Sequence, residues 1–233
     1  MELIFHQREL ILLANKPTEV PVFPKKETPQ EDSLLTRLLL LDPSRKEISW
    51  PQGFEGGILH RLDTPTTGGV LIAPSVQEVY TQRSLFAQQE RPKCYVFLSS
   101  KNVPWQEHVC EKAIAHDKHK KGKMVPKRGN NTPHRGKWYE ACTSFRHIYR
   151  QDGISLWEAR MQTGVMHQIR VHASFLGIAL LGDRKYGGGE TPDFFLGTFA
   201  LHHHQIGDWP AIPVPSWWPK WAQEISWTQN SSS

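Results

Sequence analysis

The chain has 233 residues, of which 38% are hydrophobic, and a formal net charge of +5. This length allows one large domain or two small ones with an ample core. No run of ~18 apolar residues occurs, so we expect no membrane span, and three widely spaced cysteines exclude a disulfide framework and a CxxC metal site. The moderate positive charge by itself favours a polyanionic partner only slightly.

The first elements along the chain are short apolar runs separated by turn and cap signals. Residues 10–14 read LILLA and predict a buried strand that ends at the turn NKP. Asp32 or Ser33 can cap a short helix that ends before Pro43. Ser75 starts a capping-box pattern, so a second helix is expected to follow it.

Between these two helices lies the most informative stretch of the first half, residues 58–73. Apolar residues flank the polar segment HRLDTPTTGG and predict two buried strands joined by a tight turn. If Ile58–Asp63 is extended, Arg61 and Asp63 share one face and His60 lies on the other. A carboxylate at the margin of a core is either half of a structural Arg–Asp pair or a catalytic group. The stretch alone leaves both readings open.

The middle of the chain predicts further strands and then a helix. Residues 93–98 form a strand on which Tyr95 reads as an ordinary core-edge tyrosine, and residues 138–148 and 154–163 form two strands joined by a turn at 151–153. At Gly164 the apolar period becomes helical. The polar side chains on this helix crowd into six residues, which suits the lining of a cleft, although a solvated face is the ordinary alternative. They are His167, Gln168, Arg170 and His172.

Residues 116–137 form the most basic segment of the chain, with eight lysines and arginines against one acidic residue, Asp117. The basic residues are Lys118, Lys120, Lys121, Lys123, Lys127, Arg128, Arg135 and Lys137. Glycine, proline and asparagine punctuate the segment, so it reads as a loop. A basic mobile loop suits contacts with RNA phosphates, whereas the alternative is a solvated excursion of the surface.

The last third adds a histidine triplet and several tryptophans. Adjacent strand residues point to opposite faces, so His202, His203 and His204 cannot easily meet one ion, and we expect no metal site. The tryptophans after residue 208 are expected to pack against the domain, and residues 229–233 to be disordered. Without internal repeats or a clear linker, residues 1–233 read as one domain.

Two dense segments taken together resemble one family. HRLDTPTTG at 60–68 resembles the HRLDxxTSG motif of the RluA-type RNA pseudouridine synthases, and GVMHQIRVH at 164–172 resembles their GRTHQIRVH segment. Weaker matches occur in the same order at 15–17, 93–95, 182–187 and 201–202. The departures are Thr67 for the usual serine, and Val165 and Met166 for arginine and threonine, which removes one cation and one hydroxyl.

The resemblance implies an α+β fold: a mixed, largely antiparallel central sheet flanked by helices, with a catalytic cleft across it. It also implies an isomerase that converts a uridine within ribosomal or transfer RNA to pseudouridine. The uracil leaves C1′, turns and is rejoined through C5. Because no atoms are gained or lost, neither a metal nor an organic cofactor is implied. The chain would have RNA as its partner and no obligate protein partner, and we expect a monomer. The cysteine usage independently suits a reducing cytoplasm.

The resemblance also assigns roles to individual residues. Asp63 would be the catalytic carboxylate, Tyr95 would position the target base, and Arg170 would pair with Asp63. Arg61 would contact the flipped nucleotide or its phosphate. The further expected RNA contacts are His60, His167, Gln168, Lys118, Lys120, Lys121 and Lys123. The main alternative is a non-catalytic RNA-binding protein that has retained the fold; the histidine spacing disfavours a metal-dependent hydrolase.

Overall fold

The computed structural model describes residues 3–192 and 199–225. The strands are β1 (Ile4–Arg8), β2 (Ile11–Lys16), β3 (Thr67–Ile72), β4 (Lys93–Ser99), β5 (Glu107–Cys110), β6 (Ile114–Asp117), β7 (Met124–Pro126), β8 (His134–Tyr139), β9 (Thr143–Gln151), β10 (Ile154–Met161) and β11 (Leu201–Ile206). The helices are α1 (Leu34–Leu41), α2 (Val76–Ala87), α3 (Gln168–Phe175) and α4 (Lys220–Gln223). None of these helices is long and apolar enough to cross a membrane. The predicted disordered tail lies outside the described residues.

One large sheet organises the molecule. Its eight strands lie in the order β1-β2-β3-β11-β4-β10-β9-β5. Within it β3 and β11 pair in parallel, whereas the other neighbouring strands pair antiparallel. A second, three-stranded antiparallel sheet has the order β7-β6-β8. The expected α+β fold with a mixed, largely antiparallel sheet is therefore confirmed.

Apolar side chains on both faces of the large sheet are covered. On β4, Tyr95 and Phe97 face a cluster that contains Ile169 of α3 and apolar residues of α1. Val96 and Leu98 point the other way, into a cluster with Trp218 and Ala222. This alternation follows from the two-residue period of a strand. The expectation that the C-terminal tryptophans pack against the domain is confirmed for Trp209 and Trp218, which are both buried.

The segment before β3 differs from the predicted strand. Ile58 forms a single bridge with Ile72, and residues 59–63 continue as irregular backbone. The following turn closes where the Thr66 amide donates to the Asp63 carbonyl at 3.0 Å. Buried Lys16 at the end of β2 donates from Nζ to the Thr64 carbonyl at 2.9 Å. The end of β2, rather than strand pairing, therefore fixes the turn that carries Asp63.

Three other predictions about elements are corrected. The basic segment is not a loop throughout, because it contains the end of β6, all of β7 and most of β8. The predicted strand 138–148 is divided between β8 and β9. The helix predicted from Gly164 onwards starts later, because α3 begins at Gln168. Met166 precedes the helix, and 40% of its surface is exposed.

Candidate active site

A cavity of about 710 Å³ opens between the segment before β3, the start of β4 and the start of α3. Lys93, Met166 and Lys185 also contribute to its wall. Seven of the predicted site residues line this cavity: His60, Arg61, Asp63, Tyr95, His167, Gln168 and Arg170. The fold therefore brings together the two segments, about a hundred residues apart, that carry the motifs.

Asp63 is oriented by Arg170, and Arg170 is held by a second carboxylate. Arg170 Nη1 donates to Asp63 Oδ2 at 2.8 Å. Its Nε and Nη2 donate to the two carboxylate oxygens of Asp183 at 2.7 and 2.9 Å. The side chains of Arg170 and Asp183 are 9% and 1% exposed, whereas that of Asp63 is 28% exposed. The guanidinium is thus fixed by a buried bidentate pair, and the carboxylate that it orients stays open to the cavity.

The surroundings of Arg170 keep it charged. Its guanidinium lies 5.1 Å from the ring centroid of Tyr186 and 5.0 Å from that of Phe199. Burial by itself would lower the pKa of Arg170, but the hydrogen bonds and charges of Asp183 and Asp63 outweigh burial and raise it. A permanently cationic group therefore faces Asp63 from inside the protein.

His167 approaches Asp63 from the start of α3. It occupies the N-cap position in the left-handed region, with φ 58°. Its Nδ1 lies 2.7 Å from the Tyr186 hydroxyl, and its Nε2 lies 3.6 Å from Asp63 Oδ2. Burial lowers the pKa of His167 even though the charge of Asp63 opposes this effect. When the Tyr186 hydroxyl donates to Nδ1, the neutral ring carries its proton on Nε2, on the side of Asp63.

Tyr95 lies in the cavity wall with two histidines beside it. Its ring stacks on His203 at a centroid distance of 4.2 Å and an interplanar angle of 14°. His203 in turn meets His60 edge to face at 5.5 Å. Burial, with a contribution from the charge of Asp63, raises the pKa of Tyr95, so the phenol stays protonated at neutral pH. The histidine contacts fix the plane of the Tyr95 ring.

Of the other predicted RNA contacts, Gln168 and His60 form hydrogen bonds within the protein, and Arg61 is exposed. The Gln168 amide oxygen accepts from Thr163 Oγ1 at 2.8 Å and from the Val165 amide at 3.2 Å, and its nitrogen donates to the Cys142 carbonyl at 2.9 Å and to Thr143 Oγ1 at 3.0 Å. All of its hydrogen-bonding positions are therefore engaged within the protein. His60 Nε2 accepts from the Leu71 amide at 3.2 Å. Arg61 is exposed at the cavity wall.

The predicted lysine contacts lie away from this cavity. Lys118, Lys120 and Lys121 are exposed in the turn between β6 and β7. Lys123 lines a second, smaller cavity next to the first. Among the described residues, no group of three His, Cys, Asp or Glu side chains is arranged to hold a metal ion.

The departures from the family motifs have distinct surroundings. Val165 is half-buried and packs against the cluster that contains Tyr186 and Val171. Met166 presents an apolar side chain to the cavity. The Thr67 hydroxyl lies 2.9 Å from His202 Nδ1, in the interior. Thr67 therefore links β3 to β11 through this hydrogen bond, which needs a hydroxyl at position 67.

Two charged residues of the candidate site, Asp183 and Lys16, have contacts that sequence reasoning missed, as do Tyr186 and His203 beside them. Asp183 and Lys16 both fall in segments that match the family weakly, but neither carried a predicted role. A signal for Asp183 was present, because an acidic residue lies two positions after the buried run 178–181 and needs a cationic partner there. Lys16 has the same signal, a charged residue at the end of a buried strand.

The sequence matches the family model for RNA pseudouridylate synthase over residues 10–175. An uncharacterised RNA pseudouridine synthase of Synechocystis sp. is 28% identical over 206 residues, which are 87% of this chain and 60% of the relative. The ribosomal large subunit pseudouridine synthase D of Zymomonas mobilis is 30% identical over 187 residues, 80% of this chain and 56% of that protein. The chain thus spans 60% and 56% of the lengths of these two relatives.

The fold agrees with this match. The human RNA pseudouridylate synthase domain containing 1 superposes with a TM-score of 0.65 at 21% identity, over 87% of this chain and 76% of that structure. The human RNA pseudouridylate synthase domain containing 4 gives 0.64 at 23% identity, over 87% and 82%. The family model covers well over half of the chain and includes both motifs. The chain therefore belongs to the RNA pseudouridylate synthase family, of the RluA type that its motifs indicate.

Proposed function

We propose that the chain converts a uridine within structured RNA, ribosomal or transfer RNA, to pseudouridine, with Asp63 as the catalytic carboxylate. The observation that carries the proposal is the arrangement of Asp63, which is open to a cavity of about 710 Å³ and bound by the buried Arg170 at 2.8 Å. The relatives named as ribosomal large subunit synthases favour ribosomal RNA.

The reaction breaks the bond between C1′ and N1 and forms one between C1′ and C5. N1 gains a proton and C5 loses one, so the atoms balance without a co-reactant. In our proposal Asp63 acts through Oδ1, since Arg170 occupies Oδ2. Oδ1 either attacks C1′ or removes a proton from the sugar on a glycal route. In both routes Arg170 holds the carboxylate in a reactive orientation.

The remaining cavity residues would bind the flipped nucleotide and exclude water. Tyr95, whose ring is fixed by His203, would pack against the uracil, and its raised pKa suits a phenol that donates a hydrogen bond. Arg61 would fill the space left in the RNA or bind a phosphate. We propose that Gln168 braces the segment 163–165, because its amide is already engaged within the protein. The cytoplasmic location and the monomeric state stay predictions.

The test replaces the carboxylate with a group of equal size. Asp63→Asn removes the charge, and Asp152→Asn is the matched control, because Asp152 is exposed in the turn between β9 and β10. Total RNA labelled with tritium at uridine C5, from cells that lack the protein, is the substrate, since bond formation at C5 releases the label. We expect Asp63→Asn to lose activity by more than about 1,000-fold, with RNA affinity within about tenfold, and Asp152→Asn to match the wild type.

Two results would overturn the proposal. If the wild-type protein releases no tritium but binds the RNA, the chain is an RNA-binding protein that has retained the fold. If Asp63→Asn keeps its activity, another group supplies the chemistry.

A further inference from the structure

A second cavity of about 190 Å³ lies beside the candidate active site. It is formed by β7 and the residues after it, the outer side of α3, and the loop at 185–187. Lys185 lines both cavities and so marks the point where they adjoin. We call this second cavity the basic groove.

Three cations surround the basic groove: Lys123, Arg128 and Lys185. None of them forms an ion pair with an acidic side chain in the part of the chain that the structure describes. This contrasts with the active site, where the cation Arg170 is neutralised by Asp183 and Asp63. Asp117 interacts with Lys123 electrostatically, but a single acidic charge leaves the three cations with a net positive charge for a ligand.

Aromatic rings lie beside two of these cations. The Arg128 guanidinium lies 6.0 Å from the ring centroid of Phe175, and the Lys123 ammonium lies 5.5 Å from that of Tyr186. Tyr186 is the residue whose hydroxyl contacts His167 in the active site. Tyr186 therefore contacts a cation of the basic groove and also His167, which lies next to Asp63.

The turn between β6 and β7 is also tied to this region. Lys185 Nζ donates to the Gly122 carbonyl at 3.0 Å. The tip of the hairpin formed by β6 and β7 is thereby joined to the wall that the two cavities share.

We propose that the basic groove binds the sugar–phosphate backbone of the RNA next to the target uridine. This inference rests on the proposed function. The cations would contact a phosphate, and the apolar edge of Phe175 would contact a ribose, because both chemical characters lie in one small cavity. Phosphate contacts position an RNA strand without reading its bases, and the energy gained there offsets the cost of flipping the uridine.

The test uses Arg128→Gln, because Arg128 is exposed and does not line the active-site cavity. Lys123→Gln is a second variant of the same groove. Lys220→Gln is the matched control: Lys220 belongs to α4, which packs on the opposite face of the large sheet from α3. The affinity of each variant for the labelled total RNA is measured in the Asp63→Asn protein at increasing KCl, so that the result does not depend on turnover.

We expect Arg128→Gln and Lys123→Gln each to reduce the slope of log affinity against log salt by about 0.7–0.9. Each should also weaken RNA affinity by about tenfold. Lys220→Gln should leave the slope unchanged. When the same two groove substitutions are made in the protein that keeps Asp63, KM should rise, whereas kcat should stay within about twofold of the wild-type value. An unchanged slope for both groove variants overturns the proposal. If the wild type makes no pseudouridine while the slopes still change, the proposed function fails and the phosphate contact stands.

Discussion

At the scale of single residues, the geometry of the site depends on how the hydrogen-bond donors of Arg170 are shared between two carboxylates. Arg170 uses Nε and Nη2 for Asp183 and keeps Nη1 for Asp63. Asp183 is buried and cannot reach the cavity, whereas Asp63 can. The bidentate pair therefore stabilises the orientation of Arg170, and the single bond to Asp63 Oδ2 leaves Oδ1 of that carboxylate available to a ligand in the cavity.

Replacing Asp183 should damage both stability and catalysis. Asp183→Asn leaves a buried guanidinium with one acid, and we expect the free energy of unfolding to fall by about 3–5 kcal/mol. Activity should fall by at least about tenfold under conditions where circular dichroism shows a folded protein, because Arg170 no longer fixes Asp63. Glu190→Gln is the control: Glu190 pairs with Arg184 on the surface at 3.6 Å, and such pairs contribute little. Wild-type kcat in Asp183→Asn would show that Arg170 is held by other contacts.

The sequence could predict the Asp63–Arg170 pair, but it could not show that Arg170 is the cationic partner of Asp183. The family resemblance marks both members of that pair, and the structure places them in contact. Asp183 lies in a glycine-rich loop, and only the tertiary fold brings that loop beneath α3. The period of α3 equally could not show that Met166 precedes the helix, because the left-handed conformation of His167 interrupts it.

At the scale of elements, the parallel pair β3 and β11 joins the turn of Asp63 to the strand of Tyr95. His203 pairs with Gly68 of β3 on one side and with Tyr95 of β4 on the other. Its Nδ1 also lies 2.7 Å from the Gly69 carbonyl. The approach is close: a Cβ on Gly68 would lie 2.3 Å from the His203 carbonyl oxygen. Gly68 therefore allows the segment that carries Asp63 and the strand that carries Tyr95 to pack against β11 from opposite sides.

A side chain at Gly68 should separate these strands. Gly68 has φ +108°, whereas Gly153 lies in an open turn with φ +77° and has no atom within 4 Å of the position that a Cβ would take. Gly153→Ala therefore measures the backbone strain alone, expected at about 1 kcal/mol, whereas Gly68→Ala adds a backbone clash of about 1–3 kcal/mol. Urea unfolding of both variants checks the difference. Equal losses of stability would mean that β11 moves aside without cost.

The basic segment shows why some elements escape sequence reasoning. β6, β7 and β8 are at most six residues long. β6 and β7 each offer only two or three apolar side chains, and β8 is largely polar and exposed. Their hydrophobic alternation is too weak to identify a strand, and the glycines and prolines between them are typical of loops. By contrast, β4 and α1 were predictable, because each has an apolar run or a capped apolar face that the core requires.

At the scale of the whole molecule, the sheet buries several histidines in neutral form. His202 donates from Nε2 to the Ile212 carbonyl at 3.1 Å and accepts from Thr67 at Nδ1. Burial lowers the pKa of His202 from 6.5 to about 3, and that of His60 by a similar amount. These residues lie on β11 and beside β3, so their protonation would act on the joint that positions the active site.

We expect the fold to be sensitive to acid for this reason. Between pH 6.5 and about 3 the unfolded chain binds a proton at His202 that the folded chain does not, so stability falls as the pH falls. One such group contributes a slope of about 1.4 kcal/mol per pH unit. His202→Gln should lower stability at neutral pH but flatten this slope by that amount, whereas His119→Gln, an exposed control, should leave it unchanged. Urea unfolding across this pH range measures both slopes, and identical slopes for His202→Gln and the wild type would contradict the assignment of His202 as a neutral core residue.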